Sequence, residues 1–149
     1  MLSRLRALLA ALWAGELLTV ALLAAPNAFA ALERSQAGLY VGRLFEMDAR
    51  IALAAGLLLV MMERRLQRDG LSQGSAMGWP MVLPLVALLL TVLGYYGLQP
   101  LMEAAKQGTG TWTFLQLHAV SMVFFGLRLI AVLMLAWRVV PRPGAGVQA

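Results

Sequence analysis

Long apolar runs dominate the chain, and charged residues break them at a few places. The first run, "ALLAALWAGELLTVALLAA", covers Ala7 to Ala25 and is interrupted only by Glu16. A later one, "WPMVLPLVALLLTVLGYYGL", covers Trp79 to Leu98 and carries no charge. The last extends from Thr111 to Trp137 and contains His118 and Arg128. Each reaches the roughly 20 residues a helix needs to cross a hydrocarbon core. A fourth run, "IALAAGLLLVMM", spans only the 12 residues Ile51 to Met62. That is too short to cross, so its helix must borrow from the polar stretch before it. The pattern predicts four membrane spans at about residues 7–31, 37–63, 79–99 and 111–138. They form one domain over residues 1–140, with a disordered tail at 141–149. Short connections predict an all-α, antiparallel four-helix bundle. Pro84 is expected to kink the third span.

Composition supports this class. Of 149 residues, 61% are hydrophobic and 13% charged, against about 25% charged in soluble domains. The net charge is +5, but the basic residues flank apolar runs, where they set topology. Nucleic acid is therefore not an expected partner, and the lipid bilayer is. Arg4, Arg6, Arg64, Arg65, Arg68, Arg138 and Arg142 fall on one side. Arg34, Arg43, Arg50 and Lys106 at most fall on the other. The bias predicts both termini in the cytoplasm. Ala28-Phe29-Ala30 resembles a signal-peptidase site. Glu16 in the middle of a long apolar run speaks against a signal peptide, so the first span is expected to be retained. No cysteine is present, which removes disulfides and thiolate chemistry.

Helix rise, about 1.5 Å per residue, converts position into depth. Counted from the cytoplasmic ends, Glu16 and Arg128 lie roughly 14 Å deep and Arg50 roughly 18 Å. With Asp48 they make a middle level. Glu46, Arg43 and His118 make an outer one. Arg43, Glu46 and Arg50 fall within about 60° on one helix face. His118, Ser121 and Arg128 fall within about 80° on another. The two stripes are expected to face each other, with Glu16 between them. An unpaired charge in lipid costs about 2.5–3.5 kcal/mol, so Glu16 should pair with Arg128 or Arg50, and Asp48 with another helix or a water. His118, Arg43, Glu46, Arg50 and Ser121 are the candidate ligand-binding residues. His118 is the one candidate metal ligand. Such pairs also serve simply to fix helix packing.

Weaker signals remain. Gly38-x-x-x-Gly42 and Ala52-x-x-x-Gly56 suit close helix packing. Tyr95, Tyr96, Trp79 and Trp137 suit the aromatic belts of a membrane interface. Nine methionines are scattered and read as apolar filler. No phosphate loop, His-x-x-x-His or activated serine marks an enzyme.

"AAPNAFAAL", "AGLYVGRLF" and "LQLHAVSM" resemble an uncharacterised bacterial family of four-span proteins similar to the eukaryotic transmembrane protein 205 group. The matching positions are Pro26, Phe29, Ala37, Gly38, Gly42, Arg43, Leu44, Phe45, Leu117, His118 and Ser121. The resemblance implies four spans and a retained first one. It extends distantly to bundles of the copper-resistance D and membrane protoporphyrinogen oxidase types, some of which use histidines for copper or haem. Here a single histidine supplies one imidazole at most. Three functions follow as expectations. One is a polar pocket for an ion, metal or small anionic ligand. Another is a haem- or metal-dependent redox protein using His118. The third is an accessory subunit, in a homo-oligomer or beside a membrane partner, whose charges only lock the bundle.

Overall fold

The computed structural model describes residues 1–71 and 77–140. These residues are helical, and among them there is no strand. The first column is α1 (Leu2–Thr19), a π-helical segment (Val20–Ala24) and α2 (Ala25–Ala31). The second is the single helix α3 (Arg34–Arg68). The third is α4 (Trp79–Thr91), a π-helical segment (Val92–Gly97) and α5 (Gln99–Lys106). The fourth is α6 (Phe114–Val139). The expected tail at 141–149 and most of the loop after Gly70 lie outside the described residues.

Alanine and leucine, both strong helix formers, fill these columns. Each column buries one stripe. On α1 the buried residues are Ala10, Trp13, Ala14 and Leu17; on α6 they include Arg128, Ala131, Val132, Leu135 and Val139. This i, i+3, i+4, i+7 spacing is one helix face. α1 and α4 each pack against both α3 and α6. Neighbours run in opposite directions: Arg6 near the start of α1 meets Glu63 near the end of α3. Likewise Arg138 at the end of α6 lies over the ring of Trp79 at the start of α4.

The columns outrun the expected spans. Column one starts at Leu2 and column three continues to Lys106, because neither Arg4 nor Gln99 offers a helix stop. Pro80 and Pro100 sit in first turns, where their missing N–H costs nothing. α6 starts on a capping box, in which Thr113 Oγ1 accepts from Gln116 N–H and the Gln116 side chain accepts from Thr113 N–H. Leu2–Ala31, Trp79–Lys106 and Phe114–Val139 are long and apolar enough to cross a membrane. α3 is the longest helix at 35 residues, but its charges keep it out of that class.

The apolar core is one-sided. Ala10, Trp13 and Leu17 meet Ala52, Ala55 and Leu59, Leu83 and Ala87, and Val132, Leu135 and Val139. All lie toward the end of the molecule that holds Arg6 and Glu63. Alanines allow close helix approach there. The other end is hollow.

Candidate functional site

A cavity of about 790 Å³ opens between α3, α6, α5 and the second π segment. Arg34, Gly38, Val41, Gly42, Phe45 and Asp48 form its α3 wall. Phe114, His118, Ser121, Phe125 and Arg128 face them from α6. Thr91, Tyr95, Gln99, Met102 and Lys106 close the third side.

The base of the cavity is a polar cluster between the helices. Arg128 Nη2 donates to Asp48 Oδ2. Its Nη1 donates to Thr91 Oγ1 at 3.3 Å, and the Thr91 hydroxyl donates to the carbonyl of Ala87 at 2.8 Å. Phe125 lies 4.9 Å from the guanidinium and packs edge-on against Phe45. Asp48 and Arg128 are each only 3% exposed. Arg128 Nε has no hydrogen-bond partner among the described residues. Glu16 comes in from α1 beside both residues. The middle level expected from helix rise therefore exists, but Asp48, not Glu16, takes the arginine. A carboxylate on α3 has the shorter reach, and Glu16 is left flanking the pair.

The outer stripe of α3 turns elsewhere. Glu46 bonds to Arg43 at 3.2 Å and to Arg50 at 2.5 Å, all within one helix. Arg43 and Arg50 are 78% and 70% exposed in their side chains. The three residues share a face, as their spacing requires, but none of them lines the cavity. The expectation that this stripe faces His118 is corrected. Gly38 and Gly42 occupy the wall instead.

His118 and Ser121 do line it. The imidazole stacks on Phe114, with centroids 5.9 Å apart and planes 9° off parallel. Ser121 donates to the carbonyl of His118 at 2.9 Å. Lys106 caps the stack 5.6 Å above Phe114 and pairs with Glu103 at 2.8 Å. Among the described residues, no group of three or more His, Cys, Asp or Glu side chains is placed to hold a metal ion. The copper and haem expectations thus rest on one imidazole and gain no support.

Two polar features carried little signal in the pattern of spans. The Arg6–Glu63 ion pair joins α1 to α3, with Gln67 Nε2 donating to Glu63 at 3.3 Å. Depth counting could have found it, since both residues sit at the same end of their helices. Thr91 carried no signal, being one hydroxyl in an uncharged run.

Three helices fit to cross a membrane, one of them joined to α3 by a buried ion pair, define a membrane protein. Residues 8–111 match a domain of unknown function, DUF4149, and the chain belongs to that family. No curated protein and no solved structure matches the chain. The family match ends before α6, so His118, Ser121 and Arg128 lie beyond it.

Proposed function

We propose that this is a ligand-binding protein of the bacterial inner membrane. In this reading it is an antiparallel four-helix bundle with both termini cytoplasmic, α3 is the fourth span, and the cavity opens to the periplasm. The observation that carries the reading is a cavity of about 790 Å³ whose base is the buried Asp48–Arg128 ion pair. Basic residues at the packed end support the orientation. The resemblance to the transmembrane protein 205 group, and distantly to copper-resistance D bundles, agrees with four spans and supplies no ligand.

The native chain has no cysteine, so a single introduced thiol reports cleanly. Ser121→Cys should react with a membrane-impermeant maleimide added to intact spheroplasts, and Ser3→Cys only after lysis. Labelling of Ser3→Cys from outside would reverse the topology. A Ser121→Cys thiol that stays inert even in detergent would mean a closed cavity, and would leave the charges as bundle locks.

A further inference from the structure

The two glycines of the α3 wall differ from Gly56 and Gly94, and share their open surroundings with Gly15 and Gly126. A methyl at Gly56 would meet Leu88 at 2.7 Å, and one at Gly94 would meet Phe124 Cβ at 2.5 Å. Those glycines permit close helix approach. At Gly38 and Gly42 an added methyl meets nothing within 4 Å. A glycine inside a helix costs about 1 kcal/mol relative to alanine, and here no approaching helix offsets it. One turn apart, the pair keeps one strip of wall flat and open.

The rest of the lining is largely aromatic and aliphatic: Phe29, Val41, Phe45, Met102, Phe114 and Phe124. At about 790 Å³ the space falls within the range of organic-ligand sites and far exceeds a bare ion. Its charges are lopsided. Arg34, Lys106 and Arg128 line it against one acid, Asp48. Asp48 and Arg128 engage each other at the base, so the surplus lies at the mouth. There Arg34 has no ion-pair partner among the described residues, and Lys106 shares Glu103, which is outside the lining. From Arg34 down to Asp48 the α3 wall is about 21 Å long by helix rise.

We propose that the cavity takes an anionic amphiphile: one acyl chain along the glycine strip, with a carboxylate or phosphate head between Arg34 and Lys106. The head gains two cations at the level where an interface would lie. The chain packs on Phe45 and Phe124 and ends above Phe125, whose ring covers the guanidinium of Arg128. A cationic ligand finds no free acid in the lining, and a bare anion leaves the apolar walls unused. This inference rests on the ligand-binding reading above.

The test uses the full-length, delipidated chain in neutral detergent, titrated by calorimetry with palmitate, hexadecanol, dipalmitoyl phosphatidylglycerol and inorganic phosphate. Palmitate or the phospholipid should bind, and whichever binds tighter identifies the source of the head. Hexadecanol should bind at least about tenfold more weakly, and the Arg34→Gln/Lys106→Gln variant should lose a similar factor for the anions. Gly42→Leu should block binding, while Gly42→Ala, which controls for helix effects, should keep it. Equal binding of hexadecanol and palmitate, or tight binding of phosphate alone, overturns the amphiphile class. If Gly42→Leu still blocks in those cases, the cavity reading survives. Palmitate binding indifferent to Gly42→Leu, or no binding by any probe, overturns the inference at the cavity itself.

Discussion

The same four columns build a packed half and a hollow half, divided at the level of Asp48, Thr91 and Arg128. In the packed half the facing positions are Ala10, Ala14, Ala52, Ala55, Ala87 and Ala131, each buried. Small side chains on all four columns let the backbones close up and let Trp13 and the leucines fill what remains. In the hollow half Gly38 and Gly42 on α3 face open space, and Phe114, His118 and Phe125 of α6 line the other side. Small residues bring helices together where a neighbour reaches them, as Leu88 reaches Gly56 and Phe124 reaches Gly94, and leave space where none does. A Gly-x-x-x-Gly spacing therefore does not by itself specify a helix contact.

Experiments can break this contrast or sharpen it. The largest effect is expected at the divide. Asp48→Ala leaves Arg128 buried without its carboxylate and should cost about 3–5 kcal/mol in reversible detergent unfolding. A loss below about 1 kcal/mol would mean that Glu16 replaces it. In the packed half, Ala52→Leu adds bulk at a fully buried position. It should cost about 1–3 kcal/mol through overpacking, read as a lower midpoint in the same assay. Removal of the α6 cap by Thr113→Ala should cost about 1 kcal/mol, with hydrogen exchange rising only in the first turn of α6. In the hollow half the sign reverses: Gly42→Ala should stabilise by about 0.5–1 kcal/mol, because the methyl enters open space and the unfolded chain loses freedom. Arg43→Ala, at an exposed pair within one helix, should change stability by about 0.5 kcal/mol or less. Thermal shifts of the same sign at Ala52 and Gly42 would erase the distinction between the halves.

Depth was legible in the sequence, and direction was not. Helix rise is a property of the chain alone, so counting residues sets Glu16, Asp48 and Arg128 at one level. Helix periodicity also groups residues on a face, and Arg43, Glu46 and Arg50 do come together. Nothing in one helix's period says which neighbour that face will meet. The rotation of α3 is fixed by its contacts with α1 and α4, where Ala52 and Gly56 pack, and this carries the arginine stripe outward and Gly38 and Gly42 inward. Span limits were short for a related reason. Apolar runs mark where lipid is tolerated, while hydrogen bonding and caps decide where a helix stops. Thr113-x-x-Gln116 was readable as such a cap, and Arg6 with Glu63 as a shared level.

The π-helical segments, Val20–Ala24 and Val92–Gly97, have a genetic consequence. A π-turn is an α-helix holding one residue more than regular winding needs, an insertion the chain has absorbed rather than expelled into a loop. The first lies before the part of its column that reaches the cavity, and the second lines the cavity itself through Gly94 and Tyr95. Deleting one residue inside either segment would restore regular winding and turn everything beyond it by about 100°. Phe29 would swing off the opening in the first case, and Met102 and Lys106 in the second. The outer wall is thus phased by chain length within two short turns, so a single-codon deletion in Val20–Ala24, or at Val92 or Leu93, would reset it while every lining side chain stayed the same.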